Sequence, residues 1–412
     1  MKKEKMFYGW LIVAAGCVVM ATTMGIVYNC NSLFIKPISE DLGISRQSVS
    51  TMQSLMNLGT MLASAFAGRI FKEDNIVKVM KAAIVVMVVC YFANGFAQNI
   101  WMLYVTHIIN GVAECLVTTL PLTFLINNWF RDKVGLALGL TSMGSGFGGA
   151  LFNALAGQLI TAYGWRMTYR ILAGFILLLA VPCIFFVLKL TPEEKGLKPY
   201  TDPLRPGAKE AAPRGEDTGI TYAEARRSHK FWLLCVLVVL TGISMNTMYG
   251  SVSPHLQDSG YSLAFSANFV SLGMLVLAGG KILLGRIFDS AGVRIAFELA
   301  CISLLFALVG LYFCRFLQAL LLVLFGNTFG CIFGAVVLPL TIPAVFGKKD
   351  YRAIMGPLAA LLSLGGVIGP IFSGRIYDMY GSYNPAYIIA GIILIGVILI
   401  LWKILPDKEH QY

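Results

Sequence analysis

Gly68-Arg69-Ile70-Phe71 returns as Gly285-Arg286-Ile287-Phe288, 217 residues further along the chain. Other residues keep the same offset. Gly148-Gly149 recurs as Gly365-Gly366, Gly157 as Gly374, Gly164 as Gly381 and Gly174 as Gly391. Pro121-Leu122-Thr123 recurs as Pro339-Leu340-Thr341, one residue out of step. A constant offset over so many glycines marks a chain built twice from one unit.

What lies between these marks is apolar. The 412 residues are 57% hydrophobic and only 13% charged, with a mean hydropathy of +0.75. A soluble domain carries about 25% charged residues, so most of this surface must face lipid. A span needs about twenty mostly apolar residues. Such runs fall near 7–34, 47–71, 78–95, 99–126, 134–160, 168–190, 231–254, 264–287, 295–313, 316–343, 352–374 and 384–405. The first run is too long for a signal-peptide core and no small-residue cleavage site follows it, so it reads as an uncleaved span. The charged stretch 191–229, with Pro192, Pro199, Pro203, Pro206 and Pro213, divides the spans six and six. The expected fold is an all-α membrane protein of twelve transmembrane helices in two pseudo-symmetric bundles, 1–190 and 230–412, joined by a cytoplasmic linker. Two like bundles with a site between them suit alternating access.

The net charge of +11 is unevenly placed. Lys36, Arg46, Arg166, Arg170, Arg315 and Arg375 fall in loops on one side of the membrane, and Lys281 falls inside span 8. The remaining Lys and Arg share the side of both termini, which the positive-inside bias makes cytoplasmic. That bias explains the charge without a nucleic-acid partner. Compactness and short termini suggest a bacterial plasma (inner) membrane, and a monomer surrounded by lipid is expected. The nine Cys show no CxxC or Cys/His spacing and read as small apolar residues. Gly144, Gly146, Gly148 and Gly149 lie in an apolar span without a Walker lysine, so they suit close helix contact rather than phosphate. With no nucleophile–base pair, metal cluster or nucleotide motif, the sequence points away from an enzyme, and no cofactor is expected.

Several motifs resemble the major facilitator superfamily, and within it the monocarboxylate-transporter and oxalate–formate-antiporter branch. The opening Phe7-Tyr8-Gly9-Trp10 is similar to the start of that branch. The two Gly-Arg-Ile-Phe copies resemble the superfamily's loop motif after spans 2 and 8, the second followed by Asp289. The first copy is degenerate, with Lys72-Glu73-Asp74-Asn75 in place of the usual aspartate-then-glycine pattern. Trp129-Phe130-Arg131-Asp132-Lys133 with Gly135-Leu136-Ala137-Leu138-Gly139 resembles the span 4–5 signature. Ala223-Glu224-Ala225 before Phe231-Trp232 resembles the approach to span 7. Gly374-Arg375-Ile376-Tyr377-Asp378 with Gly381-Ser382-Tyr383 resembles the span 11–12 signature. The resemblance covers nearly the whole chain. It implies transport of small carboxylates, with protons or in exchange.

Ionisable groups deep in a span are expensive and usually functional. Lys281 in span 8 stands, by resemblance, where the branch has a substrate-binding arginine. An ammonium there would attract a carboxylate through a charge-assisted hydrogen bond, though without arginine's bidentate fork. The structural alternative is snorkelling, since Arg286 at the span's end is only five residues on. Glu114 is the one acidic residue well inside a span. It shares a helix face with His107, Asn110 and Gly111, so Glu114, with His107, is a candidate for proton coupling. It could instead pair with Lys281, or be a structural, hydrogen-bonded glutamate. Branch members that couple protons often use an aspartate four residues before the span 8 cation; here that position is Leu277. By resemblance, Tyr28 falls where the antiporters place a cavity aromatic and Asn29 where animal carriers place a lysine. Asn246 and Tyr249 in span 7, and Asn327 in span 10, are cavity candidates; the alternative is interhelical bonding. Leu358 stands where the oxalate carrier has a second cation, which favours a monoanion. Arg166, Arg170, Arg375 and Asp378 are expected to fix helix ends.

The reading that follows is a secondary carrier of small organic anions, most of all monocarboxylates, by proton symport or anion exchange. Efflux of amphipathic or aromatic compounds, favoured by 26 Phe and 17 Met, and a membrane sensor on a transporter scaffold are the alternatives.

Overall fold

The computed structural model describes residues 7–71, 75–131, 133–201, 219–331, 333, 337–347 and 349–404. The centre of the expected linker, 202–218, and the side chain of Lys281 lie outside this description. The described chain is almost wholly helical, its β-structure limited to two isolated bridges.

In the first half, α1 (Tyr8–Thr22) runs through a π-helical turn, Thr23–Tyr28, into α2 (Asn31–Leu42). α3 (Arg46–Ala65) and the short α4 (Ala67–Ile70) follow, then α5 (Ile76–Asn94), α6 (Ile100–Val117) and α7 (Thr119–Trp129). α8 (Val134–Phe175) extends through π-helical turns to Val187. The second half begins with α9 (Tyr222–Arg227), capped by Thr221 and Glu224. It continues through α10 (His229–Asp258), α11 (Leu263–Ala291), α12 (Val293–Tyr312), α13 (Ala319–Gly330), α14 (Leu338–Phe346), α15 (Tyr351–Tyr380) and α16 (Asn384–Ile404).

Nine helical stretches among the described residues are long and apolar enough to cross a membrane. One of them, Leu136–Val187, has 52 residues. At about 1.5 Å per residue it is more than twice as long as a hydrocarbon core is thick, about 30 Å. It must fold back. The reversal is at Gly164, whose φ of 75° and ψ of 168° are open to glycine and costly for any residue with a Cβ. α3, of similar length, crosses as well although its sequence is more polar, and α13 and α14 together make one further crossing. Counted this way, the described helices make twelve crossings. Several crossings run past their expected ends, α10 to Asp258 and α15 to Tyr380 among them, and the largest difference is in the first. The first crossing ends at Leu42, not near Phe34, because the helix resumes after a turn at Asn29-Cys30. Tyr28 and Asn29 therefore sit at mid-depth rather than near its outer end.

The duplication is visible in the packing. Gly25 meets Gly148 backbone to backbone, and 217 residues on Gly242 meets Gly365 in the same way. A Cβ at any of the four would overlap the facing backbone, so these contacts need glycine. One apolar core fills the first half and two adjoining ones the second. Many large apolar side chains point outward, among them Phe186 at 76% exposure and Leu178 and Trp101 at 72%. A water-facing surface would not tolerate so many; a lipid-facing one requires them.

Candidate substrate cavity

The π-turn is where the site begins. Its wider backbone winding advances the chain by one residue relative to an α-helix, and such turns cluster at functional positions. Asn29 N donates to Met24 O, five residues back, and this register turns Tyr28 and Asn29 toward the gap between the halves. Asn29 is held there by its Nδ2, which donates to Ser145 O on α8 at 3.1 Å.

Two adjoining lobes open beside this turn. The first, continuous in part with solvent, is lined by Tyr28, Asn29, Asn31 and Ser32 of the first crossing, Ser50 and Gln53 of α3, and Asn246 and Tyr249 of α10. The second shares Asn29, Ser32 and Tyr249. It is otherwise apolar, with Met248, Val252, Phe269, Val270, Met274, Val323 and Leu324, except for Asn327 at its wall. Asn246 Nδ2 donates to Gly242 O at 2.9 Å, Asn327 Nδ2 to Gly273 O at 2.7 Å, and the Tyr249 hydroxyl lies 3.7 Å from Met274 Sδ. Both halves thus contribute polar groups to one space. The structure brings together Tyr28, Asn29, Asn246, Tyr249 and Asn327.

Glu114 and His107 stand apart. Both are buried on α6, and neither lines a lobe. His107 Nδ1 donates to Leu103 O at 2.7 Å, a bond within its own helix. Glu114 is 3% exposed, and among the described residues its Oε2 has no hydrogen-bond partner; nor has either amide atom of Asn110, one turn away. The backbone of Lys281 is in α11, seven residues or about 10 Å beyond Met274, and ten residues before the helix ends at Ala291.

The cavity is sealed at the end of the bundle opposite the termini. Asp378 at the end of α15 accepts from Arg46 N at 3.0 Å and Gln47 N at 3.1 Å, capping α3 across the two halves. Asp258 pairs with Arg46 and Lys36, each at 3.1 Å, and Arg46 lies over the Tyr377 ring at 4.5 Å. Deeper in, Asn57 Nδ2 donates to Gly366 O at 2.8 Å, again across the halves. The end-fixing arginines act within one half: Arg166 bonds Ala97 O and Asp41, and Arg170 bonds Gly95 O twice.

Ser50 and Gln53 were not singled out from sequence. Their signal was present but muted: Ser50, Gln53, Ser54 and Asn57 recur at helical spacing along α3, whose other faces also carry polar residues such as Thr51 and Thr60. The offset of 217 also relates Asn29 to Asn246 and Asn110 to Asn327.

Comparison with known proteins matches the profile of the Major Facilitator Superfamily to residues 16–341. The human protein Monocarboxylate transporter 12 is 24% identical over 410 residues, covering 94% of this chain and 78% of its own. The riboflavin transporter RibJ of Trypanosoma cruzi is also 24% identical, covering 91% and 89%. Among solved structures, that of nucleoside transporter NupG superposes with a TM-score of 0.71 at 12% identity, covering 97% of this chain and 99% of that one.

Proposed function

Because the chain belongs to the Major Facilitator Superfamily, and is a transporter rather than an enzyme, we propose that it carries small organic anions, above all monocarboxylates, by alternating access. The observation that supports this best is the cavity itself. It lies on the seam of the duplicated halves, takes polar groups from both, and is closed at one end by bonds that cross the seam. Such a space can be exposed to either side by rocking one half against the other.

The anion assignment leans on Lys281 and on similarity to Monocarboxylate transporter 12. In this reading Lys281 recruits the carboxylate, and the cavity residues orient the rest of the substrate. Glu114, assisted by His107, carries the compensating proton in symport; in exchange a second anion takes that part. The carrier works as a monomer in the plasma membrane with both termini cytoplasmic.

A second reading, efflux of amphipathic or aromatic compounds, has one observation in its favour: the apolar lobe around Phe269 and Val270. Uptake of a panel of small carboxylates into proteoliposomes, with and without a pH gradient, separates the two. Lys281→Ala should lower carboxylate flux at least about tenfold, as loss of a charged partner does, and Glu114→Gln should remove the pH-gradient dependence. Full transport of a neutral compound by Lys281→Ala would favour efflux. Unchanged carboxylate flux in both variants would overturn the site.

A further inference from the structure

Pro370 lies inside α15 and lines the first lobe. It has no N–H, so the helix bond that would run from residue 370 back to the carbonyl of Gly366 is missing. That carbonyl sits well inside a crossing, where an unanswered backbone group is costly. Its donor comes from the other half. Asn57 on α3, 8% exposed, donates its Nδ2 to Gly366 O at 2.8 Å. The partner can only accept, which fixes the orientation of the amide. The approach is close: a Cβ on Gly366 would crowd Asn57 Nδ2 at 3.0 Å. The repeat supplies the control. At an offset of 217, Pro370 corresponds to Asn153 and Asn57 to Met274. Asn153 keeps its N–H, and its side chain donates to Gly149 O, the counterpart of Gly366 O, at 2.7 Å. That carbonyl is served from within its own half. Met274 only packs there, its Cγ 3.2 Å from where a Cβ on Gly149 would lie. The proline and its cross-seam donor come as a pair on one seam, and at the matching positions of the other both are replaced.

Resting on the alternating-access reading above, though not on its substrate, we propose that Asn57 is a positioning residue of the transport cycle. Its Nδ2 donates to the carbonyl that Pro370 leaves free each time the end opposite the termini shuts, and gives that carbonyl up to water when the end opens. Water serves a carbonyl about as well as an amide does, but only once the seam has parted far enough to admit it. A slightly parted, dry seam leaves Gly366 O with no donor from either source. The pair therefore disfavours half-open positions and sets α15 against α3 in one closed register.

A double-mutant cycle tests this. The readout is labelling by an impermeant thiol reagent, applied from the side opposite the termini, at a cysteine placed at Ser50 on the lobe wall in the full-length chain without its native cysteines. Asn57→Leu takes the donor from Gly366 O in the closed state and should speed labelling about tenfold. Pro370→Ala returns an N–H to α15, so in that background Asn57→Leu should change the rate by less than about twofold. A side chain that only filled space would act equally in both backgrounds. Should Asn57→Leu alone fail to fold, recovery of folded protein on adding Pro370→Ala is the same coupling, and failure of the double variant as well overturns the proposal. Equal acceleration in both backgrounds would overturn it, as would none in either while the parent labels measurably. A parent that never labels from that side would overturn alternating access itself, and the proposal with it.

Discussion

The two halves meet along two seams, and the seams share geometry but not chemistry. On one, α8 packs against α11; on the other, α15 packs against α3. Gly157 and Gly374, partners in the 217-residue repeat, let the helices touch in each. A Cβ on Gly157 would run into Ala267 Cβ, and one on Gly374 would come within 2.7 Å of Gln47 Cα. There the likeness ends. The α15/α3 seam is fastened by Asp378 and Arg46, with Asp258 and Lys36 beside them. The repeat places Thr161 and Leu263 where Asp378 and Arg46 stand. Asp41, the counterpart of Asp258, is turned to Arg166 within its own half. Duplication supplied a pair of close-packed seams, and divergence made one of them an electrostatic latch. A bistable carrier gains from this. Apolar contact keeps a seam dry, whereas a few charges can be broken and remade at low cost in a wet, opened state.

The shared geometry gives the largest expected effect. Gly157→Val and Gly374→Val should each prevent the distal end from closing. Overpacking costs about 1–3 kcal/mol, enough to lower the closed-to-open ratio roughly tenfold to a hundredfold. The measurement is labelling by an impermeant thiol reagent at a cysteine placed at Ser50, in a background lacking the native cysteines. Both variants should label faster than the parent and transport more slowly. If only one does, the seams are not geometric equivalents.

The differing chemistry gives the next effect. Asp258→Asn leaves Arg46, which is 6% exposed, and Lys36 without their shared carboxylate. Hydrogen bonds to charged groups are worth about 1.5–3 kcal/mol, so labelling at the Ser50 site should rise by roughly tenfold. Thr161→Ala, the matched change on the other seam, removes only a bond to Gly157 O within its own helix and should change labelling by less than about twofold. Equal responses would refute the latch.

Much of this was legible in the chain. The 217-residue offset gave the duplication because close helix contacts tolerate nothing larger than glycine, and that constraint survives divergence. Tyr28, Asn29, Asn246, Tyr249 and Asn327 were visible as polar residues in apolar runs, where each must find a polar neighbour or a ligand. The latch was not legible as a latch. Asp378 and Arg46 are 332 residues apart and at helix ends, where a charge ordinarily needs no explanation. Only folding shows that one caps the helix begun by the other. The continuation of the first crossing to Leu42 was hidden for a related reason. Lys36, Glu40 and Asp41 made its last turns look like a loop, yet Lys36 is drawn to Asp258 and Asp41 to Arg166.

Salt sharpens the comparison with the smallest effect. Lys36 and Asp258 are each partly open to solvent, and such pairs contribute about 0–1 kcal/mol. Raising ionic strength from 0.15 M to about 1 M shortens the screening length from about 8 Å to about 3 Å. This should weaken the latch and speed labelling at the Ser50 site by about twofold or less. A cysteine at Thr161, beside the seam where no ion pair is found among the described residues, should label at an unchanged rate. In the Asp258→Asn background the salt response at the Ser50 site should largely vanish, since the pair it acts on is gone. A salt response of equal size at both sites, or one that survives Asp258→Asn, would mean that salt acts on the bundle as a whole and that the seams differ in sequence without differing in what holds them shut.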